Sequence, residues 1–292
     1  MSRSHLEILQ TGPLALIQDR GRIGHLAIGV GRSGAADLGA HALANRLLGN
    51  PAGAASIECT LGGLRVRSHG RSTVCLTGAP AVVSVDSRPV GHGALVELPD
   101  GATLTVGMPP NGARTYLAVR GGIAVPRVLG SRATDTLSGI GPAPLRPGDR
   151  LRVGRTPRRL PHVEAAPTAR PWPAEVTLRV LPGPRAHWFQ DPDALARTPW
   201  TVSSASDRRG VRLHGIPLQR NETHAALELP SEGMVRGAIQ VPPSGEPVIL
   251  LNDHPVTGGY PVIGVLLSAD VDRVAQLTPT GRVQFRWVAS VA

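Results

Sequence analysis

Asp19, Arg20 and Arg22 crowd together in the stretch Gln18-Asp19-Arg20-Gly21-Arg22, with Gly24 just beyond. A carboxylate of this kind can move a proton, and a guanidinium can grip a carboxylate through two hydrogen bonds. The segment Ser33-Gly34-Ala35-Ala36-Asp37 follows, and the sequence predicts a helix over residues 34–48. Ser33 is expected to be its N-cap, with the hydroxyl accepting a free N–H of the first turn. Asp37 suits the positive end of the helix dipole. Bare backbone next to a helix start favours the close approach of an anion or a small polar ligand.

Other polar groups sit on glycine-flanked segments. They are Arg120-Gly121-Gly122, Gly130-Ser131-Arg132-Ala133-Thr134-Asp135, Ser206-Asp207-Arg208, Ser231-Glu232-Gly233, and Asp253 with Thr257-Gly258-Gly259-Tyr260. Each of them alone reads first as a turn, because Gly, Asp and Ser are turn formers. Their number favours function, since binding residues concentrate on loops of a β scaffold. Glu58 stands in an apolar run and reads as an edge-strand residue ahead of a buried acid of raised pKa. Gln240 stands in a similar run, where it can satisfy backbone groups. The four tryptophans, Trp172, Trp188, Trp200 and Trp287, read as packing anchors.

Several chemistries are excluded. The basic residues are all arginine, so there is no P-loop lysine, no Schiff-base lysine and no lysine to carry biotin. No Gly-x-Ser-x-Gly elbow, His-Glu-x-x-His helix or Cys-x-x-Cys pair occurs. The ten histidines are scattered, and no metal is expected. Cys59 and Cys75 lie in apolar strand-like runs and read as buried free thiols of a reducing compartment.

The elements that must position these groups are short. With 35 Gly and 28 Pro among 292 residues, frequent turns and many strands are expected, with few helices. A hairpin is predicted at residues 5–9 and 14–17, then the helix. Its apolar side is expected to hold Leu38 and Ala42 with Asn45, beside Leu43 and Leu47. Short strands follow from Ser56 to Val153. Residues 155–173, rich in Pro and Arg, read as a linker between an N-terminal half at 1–160 and a C-terminal half at 174–292. The second half is expected to hold further strands, a short helix near 191–196 and a helix capped by Ser268.

The formal charge of +10 admits acidic partners. Nucleic acid is not expected, because the arginines are spread out and the aromatic content is only 3%. No run matches a signal peptide or a membrane span, so the expected location is cytoplasmic, with no membrane partner.

Taken in order, these segments resemble the biotin-dependent carboxyltransferase family. That family includes the C-type subunit of bacterial 5-oxoprolinase, the second subunit of allophanate hydrolase and part of urea amidolyase. The likeness runs from Gln18-Asp19-Arg20-Gly21-Arg22 through Ser33-Gly34-Ala35, Glu58, Arg120-Gly121-Gly122 and Ser206-Asp207-Arg208. It continues to Gly237-Ala238-Ile239-Gln240-Val241-Pro242 and Thr257-Gly258-Gly259-Tyr260-Pro261. One loop departs: the family usually shows Asp-Arg-Gln-Thr where this chain has Asp253-His254-Pro255-Val256.

The resemblance implies a mainly β protein of two cyclophilin-like β-barrel halves. It implies a subunit of an ATP-dependent 5-oxoprolinase, opening 5-oxo-L-proline to L-glutamate with a smaller B-type partner and an A-type partner. The alternatives are a carboxyltransferase-type chain that acts on urea or another small amide, and a non-catalytic regulator like the antagonist of a sporulation-kinase inhibitor. Asp19, Glu58 and Asp207 are the implied catalytic acids. Arg20, Arg22, Ser33, Gly34, Asp37, Arg120, Gly121, Gly122, Ser131, Asp135, Arg208, Gln240, Thr257, Gly258, Gly259 and Tyr260 are the implied substrate contacts. No cofactor is expected to be covalently attached, and ATP is expected to bind mainly to a partner subunit.

Overall fold

A computed structural model describes residues 4–159, 161–163, 165–167 and 175–288. The expected linker therefore lies partly outside the described residues, as does Trp172. The chain forms two compact units. The first comprises Met1–Ile23, Ser33–Asp135 and Gly139–Trp172, and the second Gly24–Arg32, Thr136–Ser138 and Pro173–Ala292.

The first unit holds β1 (His5–Thr11), β2 (Leu14–Gln18), α1 (Leu38–Leu47), β3 (Ser56–Thr60), β4 (Leu64–His69) and β5 (Ser72–Gly78). It continues with β6 (Val83–Val85), β7 (Arg88–Val90), β8 (Leu95–Leu98), β9 (Thr103–Val106), β10 (Arg114–Val119) and β11 (Arg150–Arg152). One sheet has the order β11-β1-β4-β9-β6-β7 and the other β2-β3-β10-β5-β8. Successive strand residues face opposite ways, so Leu6, Ile8, Val66 and Leu104 of one sheet meet Ile17, Ile57, Leu76 and Leu117 of the other in one apolar core. Cys59 joins that core, whereas Cys75 packs under α1 with Ala44 and Ala118. Burial pushes the Cys59 thiol up to about 11 and the Cys75 thiol up to about 12.

Helix α1 starts later than the sequence suggests. Its N-cap is Asp37, whose carboxylate accepts from the Ala40 N–H, and not Ser33. Ser33 instead sits in the left-handed region at φ 52°. That turn holds the preceding loop away from the helical path. The buried side of α1 also differs: it holds His41, Ala44, Asn45 and Leu47, and so includes two polar residues. They are tolerated because a polar network meets them below.

The second unit holds β12 (Glu175–Pro182), α2 (Ala194–Arg197), β13 (Trp200–Val202), β14 (Gly210–His214), β15 (Glu232–Gly233) and β16 (Ala238–Gln240). Then come β17 (Val248–Leu250), β18 (Thr257–Gly258), β19 (Val262–Leu266), α3 (Ser268–Val274) and β20 (Arg282–Trp287). Seven strands close into a barrel in the order β12-β19-β16-β17-β14-β13-β20. Closure removes the exposed sheet edges. Trp200 is buried and donates its indole N–H to the Leu195 carbonyl at 2.9 Å. Trp188 is buried too, so both act as anchors, while Trp287 is partly exposed. Ser268 opens α3 without capping it; the N-cap is Leu267, with no side-chain cap bond. No helix among the described residues is long and apolar enough to cross a membrane.

Candidate functional site

In the first unit Asp19 is a hub. Its Oδ1 accepts from the Gly21 N–H at 2.8 Å and the Ser131 hydroxyl at 2.6 Å, and its Oδ2 accepts from the Arg132 N–H at 2.6 Å. The Asp19 carbonyl also takes the Ala35 N–H at 2.9 Å. Asp19 thus ties together three segments, its own loop and residues 131–132 through the carboxylate and residue 35 through its carbonyl. Ser33 and Gln18 both donate to the Thr134 carbonyl, at 3.1 and 2.8 Å. The Arg22 guanidinium is buried and donates to the Ala133 and Ile140 carbonyls. Gly34 presses on the Gly21 backbone, where a Cβ would lie 2.8 Å from the Gly21 nitrogen. The structure therefore gathers Asp19, Arg22, Ser33, Gly34 and Ser131 into one knot. Arg20 stays exposed at its rim, and Asp135 is buried at the end of the last segment.

Glu58 is not an edge-strand residue. Its strand lies between β2 and β10, and the side chain is 1% exposed. It points from the sheet toward α1. There its Oε2 accepts from the Ala36 N–H at 2.9 Å and the Tyr116 hydroxyl at 2.8 Å, with Arg114 Nε 3.7 Å from Oε1. Tyr116 lies directly across from Glu58 on β10, and its oxygen accepts the Asp37 N–H at 2.8 Å. Burial, then the Glu58 charge, holds the Tyr116 phenol well above its ordinary pKa. Beside it, His41 Nδ1 meets the Ser56 hydroxyl at 2.9 Å, and burial lowers this imidazole to about 4. Asn45 and Asn50 continue the network to the Gly121 N–H. Arg120 and Gly121 thus hold to Pro157 and Asn50, and Gly122 to Val119, rather than to the Asp19 knot.

The second unit carries an open cavity of about 250 Å³ on the outer face of its barrel. Strand register explains its floor. Arg212 pairs with Val248, and Val248 pairs with Gln240, so the three form one row across β14, β17 and β16. Their neighbours Val211, Ile249 and Ile239 point the other way and are buried. Asp207, Arg209 and Tyr260 complete the polar rim, and Leu250 and Pro255 add apolar wall. Gly258 leaves room for Gln240: a Cβ there would lie 2.6 Å from Gln240 Nε2. Thr257 and Gly258 form the two-residue strand that pairs with Glu232–Gly233, and exposed Gly259 follows.

The neighbours Asp207 and Arg208 part company. Arg208 is buried against Asp253, whereas Asp207 is exposed and accepts from the Arg209 and Gly210 N–H groups at 2.7 and 3.3 Å. Of the residues expected to touch substrate in this unit, Gln240 and Tyr260 line the cavity with Asp207, and Arg208 does not. Arg209 and Arg212 were not anticipated. The alternation of buried and exposed residues along β14 was the available signal for Arg212. Among the described residues, no three His, Cys, Asp or Glu side chains gather as a metal site.

Against this geometry, the sequence matches the family described as carboxyltransferase domain, subdomain A and B, over residues 28–287. The chain belongs to this carboxyltransferase family. It is 39% identical over 282 residues to the C subunit of 5-oxoprolinase from Escherichia coli (strain K12), spanning 95% of this chain and 89% of that one. It is 32% identical to "Urea amidolyase" of Lachancea kluyveri, over 96% of this chain but 17% of that one. The solved structure of TTHA0988 superposes with a TM-score of 0.88 at 32% identity, covering 98% of this chain and 56% of that chain. The chain thus spans about half of that solved relative and a small part of the amidolyase. In this chain β structure dominates, with three α-helices among the described residues.

Proposed function

We propose that this chain is the C-type subunit of an ATP-hydrolysing 5-oxoprolinase, acting with a smaller B-type partner and an A-type partner to open 5-oxo-L-proline to L-glutamate. What supports the reading is likeness to the C subunit of a 5-oxoprolinase through nearly the whole of both chains. The lactam is a stable amide. Phosphorylation of its oxygen by ATP, with release of ADP, activates the carbonyl carbon; addition of one water and cleavage of the C–N bond free the amine and leave an acyl phosphate, and a second water releases phosphate and the γ-carboxylate. Without lysine this chain has no P-loop grip, so ATP is assigned mainly to a partner. Among the three carboxylates, Asp207 is open to a ligand and suits proton transfer. Asp19 and Glu58 are enclosed and brace the loops. Two buried free thiols suit a cytoplasmic setting.

The test is reconstitution with the B and A partners, following glutamate release from 5-oxoproline and ATP. The rate should depend on this chain; an unchanged rate on its omission ends the proposal. A second reading, carboxyl transfer to urea or another small amide, is favoured by the urea amidolyase match. It predicts urea carboxylation from carboxybiotin and no glutamate release.

A further inference from the structure

We infer that Arg212 is the carboxylate grip of the barrel-face cavity, and that this cavity selects a small cyclic amide bearing a carboxylate over a neutral amide. The inference rests on the 5-oxoprolinase reading and assigns it a substrate site.

The charge pattern singles out Arg212. Arg209 is answered by Asp207, with Nε 3.4 Å from Oδ2, and His214 by Glu246 at 2.9 Å. The Arg212 guanidinium has no hydrogen-bond or ion-pair partner among the described residues, yet it lines the cavity. Its main chain is held: the Arg212 N–H donates to the Ser206 hydroxyl at 3.1 Å, which in turn reaches the Arg212 carbonyl at 3.5 Å. A fixed backbone thus presents an unanswered guanidinium, and the ligand group that matches its fork is a planar carboxylate.

The remainder of the row matches the rest of such a ligand. Two strand spacings separate Arg212 from Gln240, on the order of 9–10 Å between their attachment points. Val248 lies between them, and Leu250 beside it, as apolar floor for ring methylenes. The Gln240 carboxamide gives one N–H to the Tyr260 carbonyl at 3.4 Å and keeps its oxygen and a second N–H, the complement of a lactam N–H and C=O. A volume of about 250 Å³ lies below the usual range for larger ligands and favours a small ring. Urea would leave Arg212 unanswered.

The experiment compares wild type, Arg212→Ala and Arg212→Lys in the reconstituted complex, with thermal melting to check that each variant folds. Arg212→Ala should raise the KM for 5-oxoproline roughly tenfold to hundredfold with kcat little changed, and Arg212→Lys should recover part of the loss. Inhibition by 2-pyrrolidinone, the same ring without its carboxylate, should not respond to either change. Turnover with an unaltered KM in Arg212→Ala overturns the grip and leaves the 5-oxoprolinase reading intact. If the wild-type complex shows no turnover, that reading fails, and calorimetry of 5-oxoproline with the full chain decides the grip separately. Binding lost in Arg212→Ala supports it, and no binding to wild type overturns it.

Discussion

Arg208 and Asp253 form a two-pronged ion pair, Nε to Oδ2 at 2.9 Å and Nη2 to Oδ1 at 3.1 Å, with both residues at 2% exposure. Thr136 adds its N–H and hydroxyl to Oδ2, at 3.0 and 2.7 Å. A buried pair is costly to halve, because the surviving charge has no water to turn to. Arg208→Ala is therefore expected to lower the unfolding free energy by about 3–5 kcal/mol. Urea denaturation measures it. A loss below about 1 kcal/mol would show that water reaches Asp253.

Tyr116 predicts a smaller effect at α1. Its hydroxyl donates to Glu58 and accepts the Asp37 N–H, so Tyr116→Phe removes two hydrogen bonds at once, while Glu58 keeps the Ala36 N–H. The expected cost is about 1–3 kcal/mol in all. Amide hydrogen exchange should locate the loosening at Asp37 and the first turn of α1. Faster exchange spread evenly over the first unit would contradict this.

His41 sets a pH dependence. Its folded pKa of about 4 lies below the ordinary 6.5, so the unfolded chain binds more protons between these values. Stability from this residue is complete above about pH 6.5 and is lost as pH falls toward 4, by about 3 kcal/mol in all. Burial is the main cause, and the charges of Asp19 and Glu58 act in the opposite direction. Denaturation curves collected from pH 7 to 4 should show this slope, and His41→Gln should flatten it. An identical slope in the variant would place the proton uptake elsewhere.

Gly34 and Gly24 separate two costs of a side chain. Both lie at positive φ, 95° and 94°. A Cβ on Gly24 meets nothing within 4 Å, whereas one on Gly34 lies 2.9 Å from the Arg20 carbonyl carbon. Gly24→Ala should cost only the left-handed backbone penalty, about 1–2 kcal/mol. Gly34→Ala should cost clearly more, read as the larger drop in Tm. Equal drops would mean that the loop at Gly21 yields freely.

The strands were legible because their residues alternate. Arg65 and Arg67 point outward between Leu64, Val66 and Ser68, all buried, as such a pattern demands. Glu58 was not legible in the same way. An acid in an apolar run looks the same on an edge or in the middle of a sheet, and only the pairing of β3 with both β2 and β10 decides between them. Ser33 and Asp37 posed a similar ambiguity, since both are good caps. The left-handed turn at Ser33 settled it for Asp37.

By itself the sequence determined the β character, the family membership, the absence of lysine chemistry and which loops carry polar groups. These are properties of local pattern and of residue order, and they survive without coordinates. Tertiary structure alone decided what each polar group faces. It turned Asp19 and Glu58 into enclosed braces, sent Arg208 inward and Asp207 outward, and set Arg212 in a row with Gln240. Those outcomes depend on strand register and long-range closure, where a shift of one residue reverses every side chain.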